Sequence, residues 1–143
     1  MSAENNPATG VTRLLRSVPV AWRRRLVVTL GGAVGTLGRV SVSDLLGTRN
    51  GWPLGTLTVN LLGALLLGWV LVRLAAGARP RTISIPLVGI GVLGAFTTFG
   101  TFALELWEML RADHLWMAVA YLVLSVTAGL ALAASGARWA ARR

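Results

Sequence analysis

The chain has 143 residues, of which 55% are hydrophobic and only 13% are charged, and its mean hydropathy is +0.67. Soluble domains carry about 25% charged residues, so this chain has about half the charge that a water-facing surface requires. All fourteen basic residues are arginine, and the net charge is +9. An apolar chain with cationic edges predicts an all-α integral membrane protein and argues against a nucleic-acid-binding domain. Without cysteine and with one histidine, it excludes disulfides, thiolate chemistry and a multi-histidine metal site.

Long uncharged stretches predict four transmembrane helices. Residues 50–72, 83–104 and 115–137 carry no charge and are 22 or 23 residues long, and about 20 apolar residues in a helix cross a bilayer. A weaker candidate begins at Leu26, where Arg39 and Asp44 interrupt the apolar pattern, and its membrane-embedded part is expected to end near Arg39. The predicted helices are residues 26–46, 53–76, 83–110 and 115–137, joined by short turns into one domain of residues 26–137.

The distribution of arginine predicts the orientation. Residues 1–25 are expected to form an arginine-rich tail, and residues 138–143 a short basic one. Eleven arginines lie in these tails and the second loop, and three lie in the first and third loops. Because positive residues stay on the cytoplasmic side, both termini are predicted to be cytoplasmic, with one fixed orientation in the cell membrane.

The first two helices carry polar and small residues at helical spacing. Gly31 and Gly35 are one turn apart, which favours a close-packed helix seam. Arg39 is suited either to an interfacial anchor or to drawing anions toward a vestibule. Asn60 shares a face with Thr56, and its amide must form hydrogen bonds in hydrocarbon, either with another helix or in a watery pore. The residue types alone leave both roles open.

The third helix is predicted to be broken near the bilayer midplane. Residues 89–102 contain four glycines and three threonines, which are poor material for a continuous helix. Carbonyl groups freed by a break survive only within protein or around an ion or water, and they suit a hard cation such as Na⁺. Phe99 and Phe102 share a face, and their positive ring edges can contact an anion, although packing is the usual role of such a pair.

Four further polar residues also have ordinary structural interpretations. Glu105 and Glu108 are expected to balance Arg111 at the membrane interface. Tyr121 and Ser125 are four residues apart on one face, and their hydroxyls can either join helices or line a polar path.

Three blocks of this sequence resemble the Fluc (CrcB) family of fluoride channels. They are residues 31–39, residues 55–63 with Asn60, and residues 94–102, which read GAFTTFGTF and are similar to the family signature G-x-F-T-T-F-S-T-F. The resemblance covers roughly residues 26–137. It implies passive and selective export of fluoride by an antiparallel dimer with two pores and a central Na⁺ that is not transported.

The resemblance also implies roles for individual residues. Backbone carbonyls that bind the structural Na⁺, from both subunits, are expected at Gly94 and Thr97. The fluoride pathway is expected to comprise Asn60, Phe99, Phe102, Thr101, Tyr121 and Ser125. Accessory positions are expected at Glu105, on the pore side, and at Arg39, in the vestibule. Two residues depart from the family pattern: Gly100 replaces a usual serine, which removes a hydroxyl from the polar track, and Val40 stands where tyrosine is common.

The uneven arginine count bears on assembly and on the competing functions. Family members from single genes insert in both orientations, whereas paired genes encode fixed, opposite ones, so we expect an antiparallel dimer with an oppositely oriented paralogue; a homodimer is the alternative. A small multidrug-type transporter would need a carboxylate in the membrane-embedded part of the first helix. The acidic residue of that helix, Asp44, lies beyond Arg39, so this function is not favoured. A non-transporting assembly protein would leave Asn60 unexplained. An enzyme is not expected, because His114 lies in a loop and no nucleophile–base pair is visible.

Overall fold

The computed structural model describes residues 20–77 and 85–142, which are mostly helical. The segments of the predicted N-terminal tail before residue 20, of the second loop at 78–84 and of the C-terminus at 143 lie outside the described residues. The elements, in chain order, are α1 (Val20–Leu46), β1 (Thr48–Arg49), β2 (Trp52–Pro53), α2 (Leu54–Ala76), the π-helical α3 (Ile85–Leu93), α4 (Gly94–Phe96), α5 (Phe99–Arg111) and α6 (Leu115–Ala141).

Four segments are long and apolar enough to cross a membrane: Ala21–Leu46, Leu54–Ala76, Gly89–Arg111 and Leu115–Ala141. The prediction of four membrane-spanning helices is therefore confirmed. Few of their residues are buried inside the monomer, because the apolar side chains face outward, as expected where lipid or another subunit replaces water.

Helix boundaries differ from the prediction where arginines are concentrated. α1 begins at Val20 rather than at residue 26, and α6 continues through Arg138 to Ala141. Arginine is a good helix former, and its long apolar stem can lie along the helix while its charge reaches water. A charged residue therefore ends the membrane-embedded part of a span without ending the helix.

The helices pack as two pairs. α2 and α6 run in the same direction, because Trp52, just before α2, contacts Tyr121 and Trp69 contacts Trp139. α1 packs along α3 and α4. The start of α1 and the ends of α2 and α6 thus lie together, and we call this side the arginine-rich end. The opposite side, formed by β1–β2 and the α5–α6 turn, is the hairpin end.

Glycine allows the closest helix approaches. A Cβ atom at Gly136 in α6 would overlap the backbone carbonyl of Leu65 and lie 3.0 Å from the amide nitrogen of Trp69 in α2. A Cβ atom at Gly35 in α1 would overlap the carbonyl of Val92 in α3. The predicted close-packed seam on the first helix is therefore confirmed.

A buried hydrophobic cluster lies toward the hairpin end. Phe102, Met109, Ala118 and Tyr121 are buried there, and Trp52, Leu57, Leu106 and Met117 pack around them. β1 and β2 form a minimal antiparallel hairpin whose two turn residues, Asn50 and Gly51, both have positive φ (52° and 81°). Asn-Gly is the preferred pair for such a turn, so the sequence places Trp52 over this cluster.

Candidate functional site

The third membrane-spanning segment changes conformation at Thr97 and Thr98. α4 ends at Phe96, Thr97 (ψ 156°) and Thr98 (φ −143°, ψ 118°) are extended, and α5 begins at Phe99. Asn60 of α2 contacts both backbone groups of Thr98: the Thr98 N–H donates to Asn60 Oδ1 (2.9 Å), and Asn60 Nδ2 donates to the Thr98 carbonyl (3.1 Å). Asn60 thus joins α2 to the segment between α4 and α5.

Backbone carbonyls of α4 and Thr97 lose their helical partners at this point, and those of Gly94 and Thr97 are among them. In a continuous α-helix the N–H of Thr98 would donate to Gly94, and the N–H of Thr101 would donate to Thr97. Instead, Thr98 donates to Asn60, and Thr101 donates to the N-capping Oγ1 of Thr98 (3.1 Å). The carbonyl oxygens of Gly94 and Thr97 are therefore left for another partner.

An open cleft of about 380 Å³ lies between α2 and the α3–α5 segment. Its lining includes Gly94, Thr97, Thr98, Asn60 and Phe99, together with apolar residues such as Leu67 and Leu93. The part of the chain that the structure describes contains no group of three or more acidic or histidine side chains that could hold a metal. Any cation in this cleft would therefore have to be held by backbone, hydroxyl and amide oxygens.

A second polar group surrounds Glu105 in α5. Thr56 Oγ1 donates to Glu105 Oε1 (2.5 Å), and the Tyr121 hydroxyl donates to Glu105 Oε2 (2.8 Å). The expectation that Glu105 balances Arg111 is wrong, because both Glu105 oxygens accept from other helices and the Arg111 guanidinium lies over the Trp107 ring, 5.4 Å from its centre. Glu105 lies two turns further into the helix bundle and connects α2 to α6.

Aromatic rings link the two polar groups. Phe99 is 80% exposed, and its ring centre lies 6.2 Å from that of the buried Phe102. The Phe102 ring is in turn 5.1 Å from the Tyr121 ring, which Trp52 contacts edge-on at 6.5 Å. Phe99, Phe102 and Tyr121 thus form a continuous row from the open cleft to Glu105.

Two buried polar atoms lack a hydrogen-bond partner among the described residues: Ser125 Oγ and Arg39 Nε. Ser125 lies one turn beyond Tyr121 on α6. Arg39 is half-buried on α1, next to Gly38, which faces the Phe96 ring of α4. Buried polar groups without a hydrogen-bond partner are rare in folded proteins, and an ion, a water molecule or a neighbouring chain usually supplies the partner.

The structure brings most of the predicted site residues together on α2, α4–α5 and α6, and it adds Thr98 and Trp52 to them. Thr98 is the N-cap of α5, and a threonine before a helical segment is a signal that could have identified it. Nothing local identifies Trp52, since its contact with Tyr121 depends on the packing of the hairpin.

The fold and this site define a multi-pass membrane protein with a polar, aromatic-lined interior. Comparison with known proteins supplies the family. Residues 26–137 match the model of the family described as CrcB-like protein, Camphor Resistance (CrcB), and the chain belongs to this family.

Similar proteins carry names that describe ion channels. The chain is 45% identical over 116 residues to the fluoride-specific ion channel FluC 2 of Moorella thermoacetica, covering 80% of this chain and 91% of the relative. It is 42% identical over 114 residues to the fluoride-specific ion channel FluC of Deinococcus radiodurans (78% and 90% covered). It is 38% identical over 110 residues to FluC 1 of Mycobacterium tuberculosis (76% and 83% covered). The family is thus one of ion channels rather than enzymes, as the sequence predicts.

Proposed function

We propose that this chain is a fluoride-specific ion channel that lowers cytoplasmic fluoride by passive export and so reduces fluoride toxicity. Its similarity to relatives named fluoride-specific ion channels carries the proposal, because these relatives are 38–45% identical over 76–80% of the chain. The four membrane-spanning helices and the polar residues between them are compatible with this function.

Neutral donors beside the cleft suit fluoride. Fluoride is small and strongly hydrated, so a pore must replace its water at several sites without trapping it by a full charge. Asn60 has two amide protons and donates one of them to Thr98, which leaves the other for an anion. The Thr101 hydroxyl accepts from Thr98 Oγ1 (3.0 Å), so its own proton is available as well.

The proposed fluoride pathway continues along the aromatic row. Ring edges carry partial positive charge, and Phe99 and Phe102 would offer them in sequence from the exposed to the buried position. Tyr121 follows, and the unpartnered Ser125 hydroxyl would extend the path along α6. Glu105 accepts a hydrogen bond from the Tyr121 hydroxyl and would act on the pathway through it. Arg39 would draw anions toward a vestibule.

A structural Na⁺ is proposed at the carbonyl oxygens of Gly94 and Thr97. The residues fit this ion because Na⁺ prefers oxygen ligands, and because both carbonyls have lost their helical donors. Two carbonyls are too few to enclose a cation, so a second subunit would supply the remaining ligands. The ion would hold the interface together and would not be transported.

The channel is proposed to be an antiparallel dimer whose subunits meet at the cleft. Phe99 and the cleft are open in the single chain, as an interface that awaits a partner would be. Among the described residues, six arginines lie on helix turns at the arginine-rich end and three lie toward the hairpin end. This bias favours one orientation with cytoplasmic termini, and hence an oppositely oriented paralogue as the partner, with a homodimer as the alternative.

Fluoride efflux from liposomes tests the proposed function, with and without Na⁺. We expect Phe99→Ala and Asn60→Ala to reduce efflux strongly, whereas Thr127→Ala should not change it, because Thr127 donates only to Val123 of its own helix. Equal efflux from the three variants would contradict the proposed pathway. Efflux that is indifferent to Na⁺ throughout purification and assay would contradict the proposed cation site. Strong efflux from this chain alone would rule out an obligatory paralogue.

A further inference from the structure

Tryptophan residues mark both ends of the helices. Three of them (Trp22, Trp69 and Trp139) lie toward the arginine-rich end, and the other three (Trp52, Trp107 and Trp116) lie toward the hairpin end. Trp116 and Trp139 are separated by about 35 Å along α6, close to the ~30 Å thickness of a bilayer core. Tryptophan prefers the level of the lipid headgroups, so each group of three tryptophans is expected to lie at one membrane interface.

The two ends differ in charge. The acidic residues in the described ranges lie in the hairpin half of the helices: Asp44, Glu105, Glu108 and Asp113. The arginine-rich end carries Arg23, Arg24, Arg25, Arg73, Arg138 and Arg142, and the described part of that end has no acidic residue to neutralise them. No acidic side chain of the described helices at this end therefore competes with an external anion for its guanidinium groups.

One group of residues at this end combines two tryptophans with two arginines. The Arg73 guanidinium carbon lies over the Trp69 ring, 5.9 Å from its centre, and the Trp69 ring packs against Trp139 of α6 (6.2 Å between centres). Arg142 follows Trp139 by one helical turn. A cation–π contact takes up none of the guanidinium N–H groups as hydrogen-bond donors to an acceptor oxygen, so they stay available for an oxyanion. We call Trp69, Arg73, Trp139 and Arg142 the arginine–tryptophan patch.

We propose that the arginine–tryptophan patch is a binding site for the phosphate of an anionic phospholipid. On the same two helices, at the level of the patch and deeper in the membrane, Leu66, Leu71 and Leu130 are 41–69% exposed, so acyl chains attached to that phosphate would cover apolar side chains. Arg111 over Trp107 is a similar pair at the hairpin end, but Glu108 and Asp113 lie within three residues of Arg111 and would repel a phosphate. The chemistry therefore assigns lipid phosphate to the arginine-rich end only.

Native mass spectrometry of the purified full chain tests this site by competition between phosphatidylglycerol and phosphatidylcholine with identical acyl chains. We expect the intact protein to retain phosphatidylglycerol preferentially. Arg73→Gln should reduce the binding ratio of the two lipids about fivefold, the effect expected from one basic group near an anionic headgroup. Two variants remove the same charge elsewhere: Arg24→Gln at the same end, and Arg111→Gln on the matching pair at the other end. Both should change the ratio less than twofold.

The controls distinguish a built site from a diffuse field. If Arg24→Gln lowers the ratio as much as Arg73→Gln does, the whole arginine-rich end attracts anionic lipid and the patch is not a site. If the intact protein shows no preference, the proposal is wrong. Retention of phosphatidylcholine and an unchanged helix content by circular dichroism verify that each variant is folded. This lipid site is independent of fluoride conduction, so either proposal can fail without the other.

Discussion

Asn60 offers the sharpest test of how the third span is held open, because its side chain accounts for both hydrogen bonds to Thr98. Asn60→Ala removes both. Interhelical hydrogen bonds in membranes contribute about 0.6 kcal/mol on average and up to about 1.7 kcal/mol, so the loss should lie between about 1 and 3 kcal/mol. The Thr98 N–H would then be free to return to Gly94, which would favour a continuous helix.

The quantity to measure is the free energy of unfolding, obtained by titrating detergent-solubilised protein with a denaturing detergent. Thr127→Ala removes a hydroxyl whose bond lies within α6 and should be nearly neutral. If Asn60→Ala is as stable as Thr127→Ala, Asn60 does not hold Thr98, and the account of the freed carbonyls is refuted.

Three further predictions concern packing and the polar track. Gly136→Ala should destabilise the protein by about 1–3 kcal/mol by forcing α2 and α6 apart, whereas Gly129→Ala meets open space in the same helix and should be neutral or slightly stabilising. At Gly100 an added Cβ meets nothing within 4 Å, so Gly100→Ser and Gly100→Ala should both fold; if a backbone N–H or water already replaces the missing hydroxyl, fluoride efflux through the two should differ less than twofold. Trp52→Ala should lower efflux by loosening the Tyr121 ring, and Trp52→Phe should restore most of it.

Each of these has a clear contrary result. Equal stability of the two glycine variants in the detergent titration would show that the close approach at Gly136 is not essential. A large gain of efflux in Gly100→Ser but not in Gly100→Ala would show that nothing replaces the hydroxyl. Efflux through Trp52→Ala equal to that of the unmodified chain would show that the hairpin does not position Tyr121.

The number and approximate positions of the helices follow from the sequence, because long uncharged stretches in an apolar chain predict membrane-spanning helices. The shared face of Thr56 and Asn60 follows from helical spacing, and both contact the third span. The position of the interruption does not follow from local propensity. It depends on Asn60, which lies 38 residues before Thr98. The partners of Glu105 were missed for the same reason, because Tyr121 and Thr56 come from two other helices.

The orientation, the structural Na⁺, the dimer and the roles of the individual pathway residues stay predictions. They share a physical origin, since each depends on something that a single chain does not contain: a membrane with two sides, an ion or a second subunit. The patterns that predict them are nevertheless specific. The eleven-to-three distribution of arginine predicts the orientation in the membrane. The carbonyls of Gly94 and Thr97, which lack helical donors, predict a bound cation.

Anion efflux from liposomes, driven by the same gradient for fluoride and for chloride, tests the central claim most directly. The liposomes would contain this chain either alone or together with an oppositely oriented paralogue. We predict rapid fluoride efflux with no measurable chloride efflux in at least one preparation, and its loss in Phe99→Ala. The absence of fluoride efflux from both preparations, or chloride efflux at an equal rate, would contradict the proposal that this chain forms a fluoride channel.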